Sequence, residues 1–350
     1  MSETTLNGWI RAANNGAHVH ERLTPTPKDC VVTIGPAGLD PLVGKLTLTV
    51  TDPGRLTFSG GDSIFDVRDR GVLSLTGLVL TGATATAITN NHGGTVTLTG
   101  TKVTGNSNQG IFGGGLANSG GTMTIVDSEV SGNTAAGQGG GIANAGINSS
   151  LTVVNSRVTG NTGLFGAGMS TSGGTVLVVN TRIAGNQSSP DGAGGGFTNG
   201  AGTVTIIGSE VVDNSSNEGG GLTNTGTLHV INTKVSGNRS TGIANLAGGV
   251  VLVTDCKVTG NHTDGPGGGV INGGGGTMTV ANTEISANTA TAAGGGAANT
   301  SGGVLRLVNA KVFGNKADAA GGGVANTGTG RTYLTNTAVD GNTPDNVRNG

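Results

Sequence analysis

Residues 128–144 read SEVSGNTAAGQGGGIAN and residues 283–299 read TEISANTATAAGGGAAN, so two distant segments share one phrase. The Asn in the middle of this phrase recurs about every 26 residues over most of the chain. Its copies are Asn106, Asn133, Asn161, Asn186, Asn214, Asn238, Asn261, Asn288, Asn315 and Asn342. Repeats of about 20–50 residues are typical of solenoid proteins, in which each repeat packs only on its neighbours.

Each repeat holds three short β-like pieces, separated by bends rich in Gly, Asn and Asp. Three strands in about 26 residues, with no helical segment between them, predict one turn of a parallel β-helix. Left-handed hexapeptide helices need shorter coils than these, which favours the right-handed form. We therefore predict an all-β chain: a single right-handed parallel β-helix of about eleven coils over residues 31–350, with an N-terminal helical cap over residues 1–30.

Three sets of aligned positions support this register. Two apolar columns, which begin at Val96 and Leu98, flank a variable one, as expected for a strand with one buried face. A following bend position holds only Gly, Asn or Asp, the residues that tolerate the left-handed conformation. The next position is small and mostly hydroxyl-bearing, so Cys256, which occupies it once, is interpreted as an interior substitute for Ser.

Charged residues occupy the position after the hydroxyl column, and six of its eight neighbouring pairs have opposite sign. Stacked coils would place these residues side by side, which predicts a solvated face that sets the register. The members are Lys102, Glu129, Arg157, Arg182, Glu210, Lys234, Lys257, Glu284 and Lys311. The Asn of the glycine phrase, as in Asn118 and Asn144, is predicted to form a stacked amide ladder.

Composition argues against several functional classes. The net charge of −2 favours neither nucleic acid nor an anionic membrane as partner, and no apolar run approaches the length of a membrane helix. Cys30 and Cys256 have no metal-like spacing. His18 and His20 would lie on one side of an extended segment, but a pair without a third ligand does not predict a metal site. We expect no cofactor.

The two ends of the chain differ. Residues 4–21 form the single amphipathic helix candidate, with Leu6, Trp9 and Ile10 able to cover the first coil. The last segment turns polar and offers no apolar cap, so end-to-end self-association through the C-terminal coil is predicted.

The phrases GGGIAN, LTVVNSRVTGN and NTPDN resemble repeats of bacterial right-handed β-helix proteins, which are similar to polymorphic outer-membrane protein repeats. LNGWIRAANN resembles the short helical cap of such proteins. The resemblance implies a secreted or surface-displayed, adhesin-like protein whose partners are surface glycans or other proteins. The N-terminal residues show no basic-then-apolar signal peptide, so a cytoplasmic location stays open.

The segments between the repeated Asn and the glycine phrase vary in length and sequence. They predict loops along one edge, where binding surfaces of solenoids usually diversify. The candidate binding patch is Asp191, Glu218, Arg239, His262 and Asp264. No strand carries paired carboxylates and no aromatic platform is present, which argues against catalysis. The sequence thus predicts a non-catalytic structural or adhesin-like module, a rigid surface-display or spacer element. The alternative is a carbohydrate-active β-helix enzyme of the polysaccharide lyase or hydrolase type.

Overall fold

The computed structural model describes residues 1–25, 30–53 and 56–349. It is an all-β parallel solenoid with about 12 turns and, within these ranges, one short helix near the N-terminus. The predicted class, a right-handed parallel β-helix, is confirmed. The chain divides into two compact units, Met1–Leu177 and Val178–Gly350, and the strand Thr175–Val179 contains the boundary.

In the first unit, strands of one type from successive coils pair in parallel to form each face. The first face consists of His18–Leu23, Lys45–Val50, Val72–Thr76, Thr95–Thr99, Thr122–Val126 and Ser150–Val154. The second face consists of Cys30–Ile34, Leu56–Gly60, Val79–Thr81, Lys102–Thr104, Glu129–Ser131 and Arg157–Thr159. The third face consists of Phe65–Val67, Ile88–Asn91, Leu116–Ser119, Ile142–Ala145 and Met169–Thr171. The loop edge adds Ser107–Asn108, Thr134–Ala135 and Thr162–Phe165.

The second unit repeats the same three faces. Its first face consists of Thr203–Ile207, Thr227–Ile231, Val250–Thr254, Thr277–Ala281, Val304–Val308 and Arg331–Thr335. Its second face consists of Arg182–Ala184, Glu210–Val212, Lys234–Ser236, Lys257–Thr259, Glu284–Ser286, Lys311–Phe313 and Ala338–Asp340. Its third face consists of Phe197–Asn199, Leu222–Asn224, Ile243–Asn245, Val270–Asn272, Ala297–Asn299, Val324–Asn326 and Val347–Asn349. The loop edge adds Gln187–Ala193, His262–Thr263, Thr289–Ala290 and Lys316–Ala317.

The helix spans Glu3–Asn14, with the Ser2 hydroxyl accepting a hydrogen bond from the Thr5 backbone N–H at 3.2 Å as N-cap. Leu6 and Ile10 are fully buried, as predicted, whereas Trp9 is half-buried. The expected helix over residues 4–21 is too long, because Gly16 takes a φ of +93° just past the helix and ends it.

Parallel pairing begins at His18–Leu23, which lies beside Lys45–Val50, and therefore within the stretch predicted as a cap. The structure has about 12 turns, where about eleven coils were expected. Within the described ranges, no helix has the length and apolar character needed to cross a membrane; the helix Glu3–Asn14 has only 12 residues.

The interior follows the predicted register. Val96 and Leu98 are fully buried, and the first-face strands other than the first and the last alternate between buried and more exposed residues. The Gly, Asn and Asp of the bend column all have φ between 46° and 58°, so this corner is left-handed in every coil that carries it. In the last coil, Leu334 pairs in register with the buried Leu307 but is 40% exposed. The expected self-association through this coil stays a prediction.

Two amide ladders run through the interior of each unit. The predicted one joins the Asn residues of the third face, for example Asn224 Nδ2 to Asn245 Oδ1 at 2.9 Å. The other joins the Asn residues that mark the repeat: Asn238 Nδ2 donates to Asn261 Oδ1 at 2.8 Å, and the Asn238 backbone N–H donates to the same oxygen at 3.1 Å. Because these amides are buried and paired, the repeated Asn residues hold adjacent coils together.

The last Gly of the glycine phrase lies directly against the repeat-marking ladder. A Cβ atom on Gly242 would come within 2.7 Å of the Gly269 carbonyl oxygen and 2.9 Å of Asn261 Nδ2. No side chain fits there without displacing the backbone of the next coil. Each variable loop therefore lies between an Asn of the repeat-marking ladder and the last Gly of the glycine phrase, and both of these residues have fixed positions in the stack.

Candidate binding cleft

Loop length varies abruptly at one place on the second unit. Between the ladder Asn and the last Gly of the phrase lie six residues in one coil (215–220), three in the next (239–241) and seven in the coil after that (262–268). Because both ends of each loop are fixed in the stack, the short loop cannot reach as far outward as its neighbours. A gap opens between the two longer loops.

This gap is a cleft of about 480 Å³. Its walls are Ser216–Gly219 on one side and Thr263–Pro266 on the other, and Arg239–Thr241 lie at its base. The volume falls in the range of about 300–1,000 Å³ that small-molecule sites occupy.

The floor of the cleft is aliphatic. Ala244, Leu246 and Ile271 line it from the third face and the bend that follows. Ala244 pairs in register with Ile271 of the next coil, and it is buried while Leu246 and Ile271 are half-buried. A ligand in the cleft would therefore contact hydrocarbon below and polar groups around it.

Four charged or titratable side chains surround this floor. Glu218, Arg239, His262 and Asp264 all line the cleft, and all four are exposed. His262 Nε2 lies 3.3 Å from Asp264 Oδ1, and His262 Nδ1 lies 2.7 Å from Thr289 Oγ1. In the described part of the chain, neither Glu218 nor Arg239 takes part in an ion pair. These two groups are therefore available to a ligand.

Hydrogen bonds between adjacent coils hold the walls in place. The Ser240 backbone N–H donates to the His262 carbonyl oxygen at 2.6 Å, and the Ser240 hydroxyl donates to the Asn217 carbonyl oxygen at 3.2 Å. The Thr291 hydroxyl donates to the Asp264 carbonyl oxygen. Ser240 itself has a φ of +82°, a conformation costly for a residue with a Cβ atom. The cleft is thus formed by ordered backbone before any ligand arrives.

The structure brings together four of the five residues of the sequence-based patch. Asp191 does not line the cleft; it is exposed on the strand Gln187–Ala193, beside Pro190, whose carbonyl oxygen accepts a hydrogen bond from Asn217 Nδ2. The binding role of the other four stays a prediction. Sequence reasoning missed the floor residues Ala244, Leu246 and Ile271, although the shortened loop in NRSTGIAN marks the place where the cleft opens.

The other candidates lie apart from the cleft. Cys256 is buried in the hydroxyl column, where its Sγ accepts the Thr233 backbone N–H at 3.4 Å, and burial raises the pKa of its thiol to about 11. His18 and His20 are exposed on the first strand. Across residues 1–25, 30–53 and 56–349, no group of three or more His, Cys, Asp or Glu residues is placed to hold a metal ion.

The charged column has the predicted register on the second face. Lys102 lies opposite Glu129, with Lys102 Nζ 3.8 Å from a Glu129 oxygen, and Arg182 pairs with Glu210. Lys234 and Lys257 are neighbours of like sign. This column belongs to the solvated surface and does not contribute to the cleft.

Comparison with known proteins gives one structural relative. The fold is similar to the Azotobacter vinelandii mannuronan C-5 epimerase AlgE6 A-module, with 14% sequence identity and a TM-score of 0.48 over 99% of this chain and 93% of that one. No protein-family model matches the chain. No curated protein matches it either. No family model therefore supports the resemblance to polymorphic outer-membrane protein repeats.

Proposed function

We propose that this chain is a non-catalytic β-helix display module that binds a glycan in the cleft between loops 215–220 and 262–268. The observation that carries the proposal is the conjunction of an aliphatic floor with a polar rim in a gap created by one short loop. Pyranose rings have a C–H face and a hydroxyl-bearing edge, and this combination suits both. The ladders below hold the loops in a fixed arrangement, which lowers the entropy lost on binding.

The polar rim supports a saccharide over a purely apolar ligand. Glu218 and Asp264 present carboxylates, which accept hydrogen bonds from hydroxyl groups, and Arg239 presents up to five N–H donors. Hydroxyl donors and acceptors of one sugar unit would find partners on both walls. An apolar ligand would leave these groups desolvated and unpaired, at a cost of about 1–3 kcal/mol each.

The test is binding of the whole chain to a panel of oligosaccharides, measured beside the double variant Glu218→Gln, Asp264→Asn. We expect at least one saccharide to bind the parent chain and to lose at least about tenfold in affinity in the variant. The matched control is Asp255→Asn, Glu284→Gln, which removes the same charges from the second face and its corner and should leave affinity unchanged. The absence of any saccharide ligand, or equal loss in the control, would refute the proposal.

A second candidate function, a carbohydrate-active enzyme, is favoured by the pairing of His262 with Asp264 beside Arg239. An imidazole held by a carboxylate can transfer protons, and a guanidinium can stabilise a developing anion. Incubation with acidic polysaccharides distinguishes the two. Turnover, seen as unsaturated products or new reducing ends and lost in His262→Ala, would replace the binding module with the enzyme.

A further inference from the structure

The cleft is asymmetric in its charge. Arg239 lies at the base of the cleft, on the middle coil, paired in register with Ser215 of the coil before and with His262 of the coil after. Asp264 Oδ1 lies 3.3 Å from His262 Nε2. The guanidinium of Arg239 has no anionic partner among the described residues, although Glu218 also lines the cleft. Among the described residues that line the cleft, Arg239 is the one permanent cation, and it forms no ion pair with any of them.

A free guanidinium has a defined preference. Its planar fork donates two parallel N–H bonds to a carboxylate, and such bidentate pairs are shorter and stronger than neutral hydrogen bonds. The two carboxylates on the walls disfavour a ligand with several negative charges, because like charges at short range repel. A single carboxylate directed to the base of the cleft satisfies both conditions.

Other atoms of the ligand follow from the same geometry. Glu218 and Asp264 stand on opposite walls and can accept hydroxyl donors from a ring that lies between them. The half-buried Leu246 and Ile271 offer a surface for the C–H face of that ring. Carboxylate, hydroxyl groups and a hydrocarbon face occur together in a uronic acid or another carboxylated sugar.

We propose that the cleft selects a saccharide unit that carries one carboxylate, with Arg239 binding the carboxylate and Glu218 and Asp264 binding hydroxyl groups. This inference rests on the proposed function, since it names the ligand class of the same cleft. It adds a requirement that glycan binding alone does not impose: neutral sugars of the same shape must bind less well.

The experiment uses one uronate oligosaccharide and its carboxyl-reduced, neutral counterpart, titrated calorimetrically into the whole chain. The parent chain should bind the acidic form at least about tenfold more tightly, as expected for a charge-assisted hydrogen bond. Arg239→Gln should bring the two forms to within about twofold of each other, and Arg239→Lys should keep part of the preference. Lys234→Gln, which removes a cation with no ion pair in the described structure from the second face, should change nothing.

The outcomes separate the two proposals. If the acidic and neutral forms bind the parent chain equally, or if Arg239→Gln retains the preference, the carboxylate inference is wrong while glycan binding stands. If neither form binds, and no other saccharide does, both proposals are wrong. A sulfated oligosaccharide that binds more tightly than the uronate would also overturn the inference, because the fork would then be recognising a different anion.

Discussion

Asn238 and Arg239 are adjacent in sequence and differ in almost every physical respect. Asn238 is buried, hydrogen-bonded to the coils on both sides, and repeated in every coil that carries the ladder. Arg239 is exposed and occupies a position held by Ser215 and His262 in the neighbouring coils. The comparison separates two kinds of position in a solenoid. Repetition marks the residues that stack, and departure from repetition marks the residues of the proposed binding cleft.

The ladder should tolerate substitution far less than the loop beside it. Asn261→Ala removes an Oδ1 that accepts both the backbone N–H and the Nδ2 of Asn238, and an Nδ2 that donates to the Val235 carbonyl oxygen at 3.1 Å. Leaving these buried groups unpaired should cost about 3–5 kcal/mol. The measurement is the free energy of unfolding in urea. The variant His262→Ala, at the adjacent exposed position, should have a free energy of unfolding within about 0.5 kcal/mol of that of the parent. Equal losses in the two variants would show that ladder and loop positions do not differ in their contribution to stability.

The left-handed corner should depend chiefly on whether the residue tolerates a positive φ. Asn180 has a φ of 48°, and the same corner is formed by Gly208 at 58° in the next coil. Asn180→Val should destabilise the fold by about 2 kcal/mol, because a branched side chain is strained in this conformation. Asn180→Gly should keep most of the stability. A melting temperature for Asn180→Val equal to that of the parent would show that the corner is not conformationally constrained.

Cys256 should make stability depend on alkaline pH. Burial raises the pKa of its thiol from 9.0 to about 11, so the fold favours the neutral form. The stabilisation is complete below pH 9 and is lost as the pH rises towards 11, because the unfolded chain ionises first. Between pH 8.5 and 10.5, the parent chain should lose about 1–2 kcal/mol more than Cys256→Ser, which restores the hydroxyl found in Ser128 and Ser209. Parallel pH profiles for the two chains would contradict this.

The charged column should matter least. Arg182 and Glu210 form an ion pair with both side chains nearly half exposed, at 44% and 47%. Solvent screens such pairs, so Glu210→Gln should change the free energy of unfolding by less than about 1 kcal/mol. The control is Lys234→Gln, because Lys234 forms no ion pair with any described residue. A loss of several kcal/mol relative to this control would mean that the charged column contributes substantially to stability.

The parts of the fold that follow from repetition could be predicted from the sequence, and the site could be predicted only in part. The strand register, the left-handed corner and the interior position of Cys256 each recur in a column, so many coils report on one environment. The helix end at Asn14 and the first strand His18–Leu23 lie before the first repeated Asn, so no recurring sequence phrase supports them. Local propensity alone therefore extended the helix too far.

The cleft shows the same limit. Glu218, Arg239, His262 and Asp264 were identified because charged loop residues in consecutive coils are expected to be neighbours. Ala244, Leu246 and Ile271 were missed because they carry no charge and lie outside the loops, on the third face and the bend that follows it. Whether these residues line a cleft depends on the length of a different segment, 239–241, and the identity of each side chain does not reveal this. Asp191 was included because its loop precedes that of Glu218 along the chain, but in the structure it does not line the cleft.

The measurement that tests the account most directly is saccharide affinity after the gap has been filled. Inserting AAGG after Thr241 extends the loop to the seven residues RSTAAGG, matching the length and ending of residues 289–295, and it leaves Arg239 in place. The control replaces residues 316–322 with the sequence of 289–295, at unchanged length. If the gap between loops is the site, the insertion weakens binding at least about tenfold with little change in melting temperature, and the control binds as the parent does. Undiminished binding by the filled chain would contradict the account.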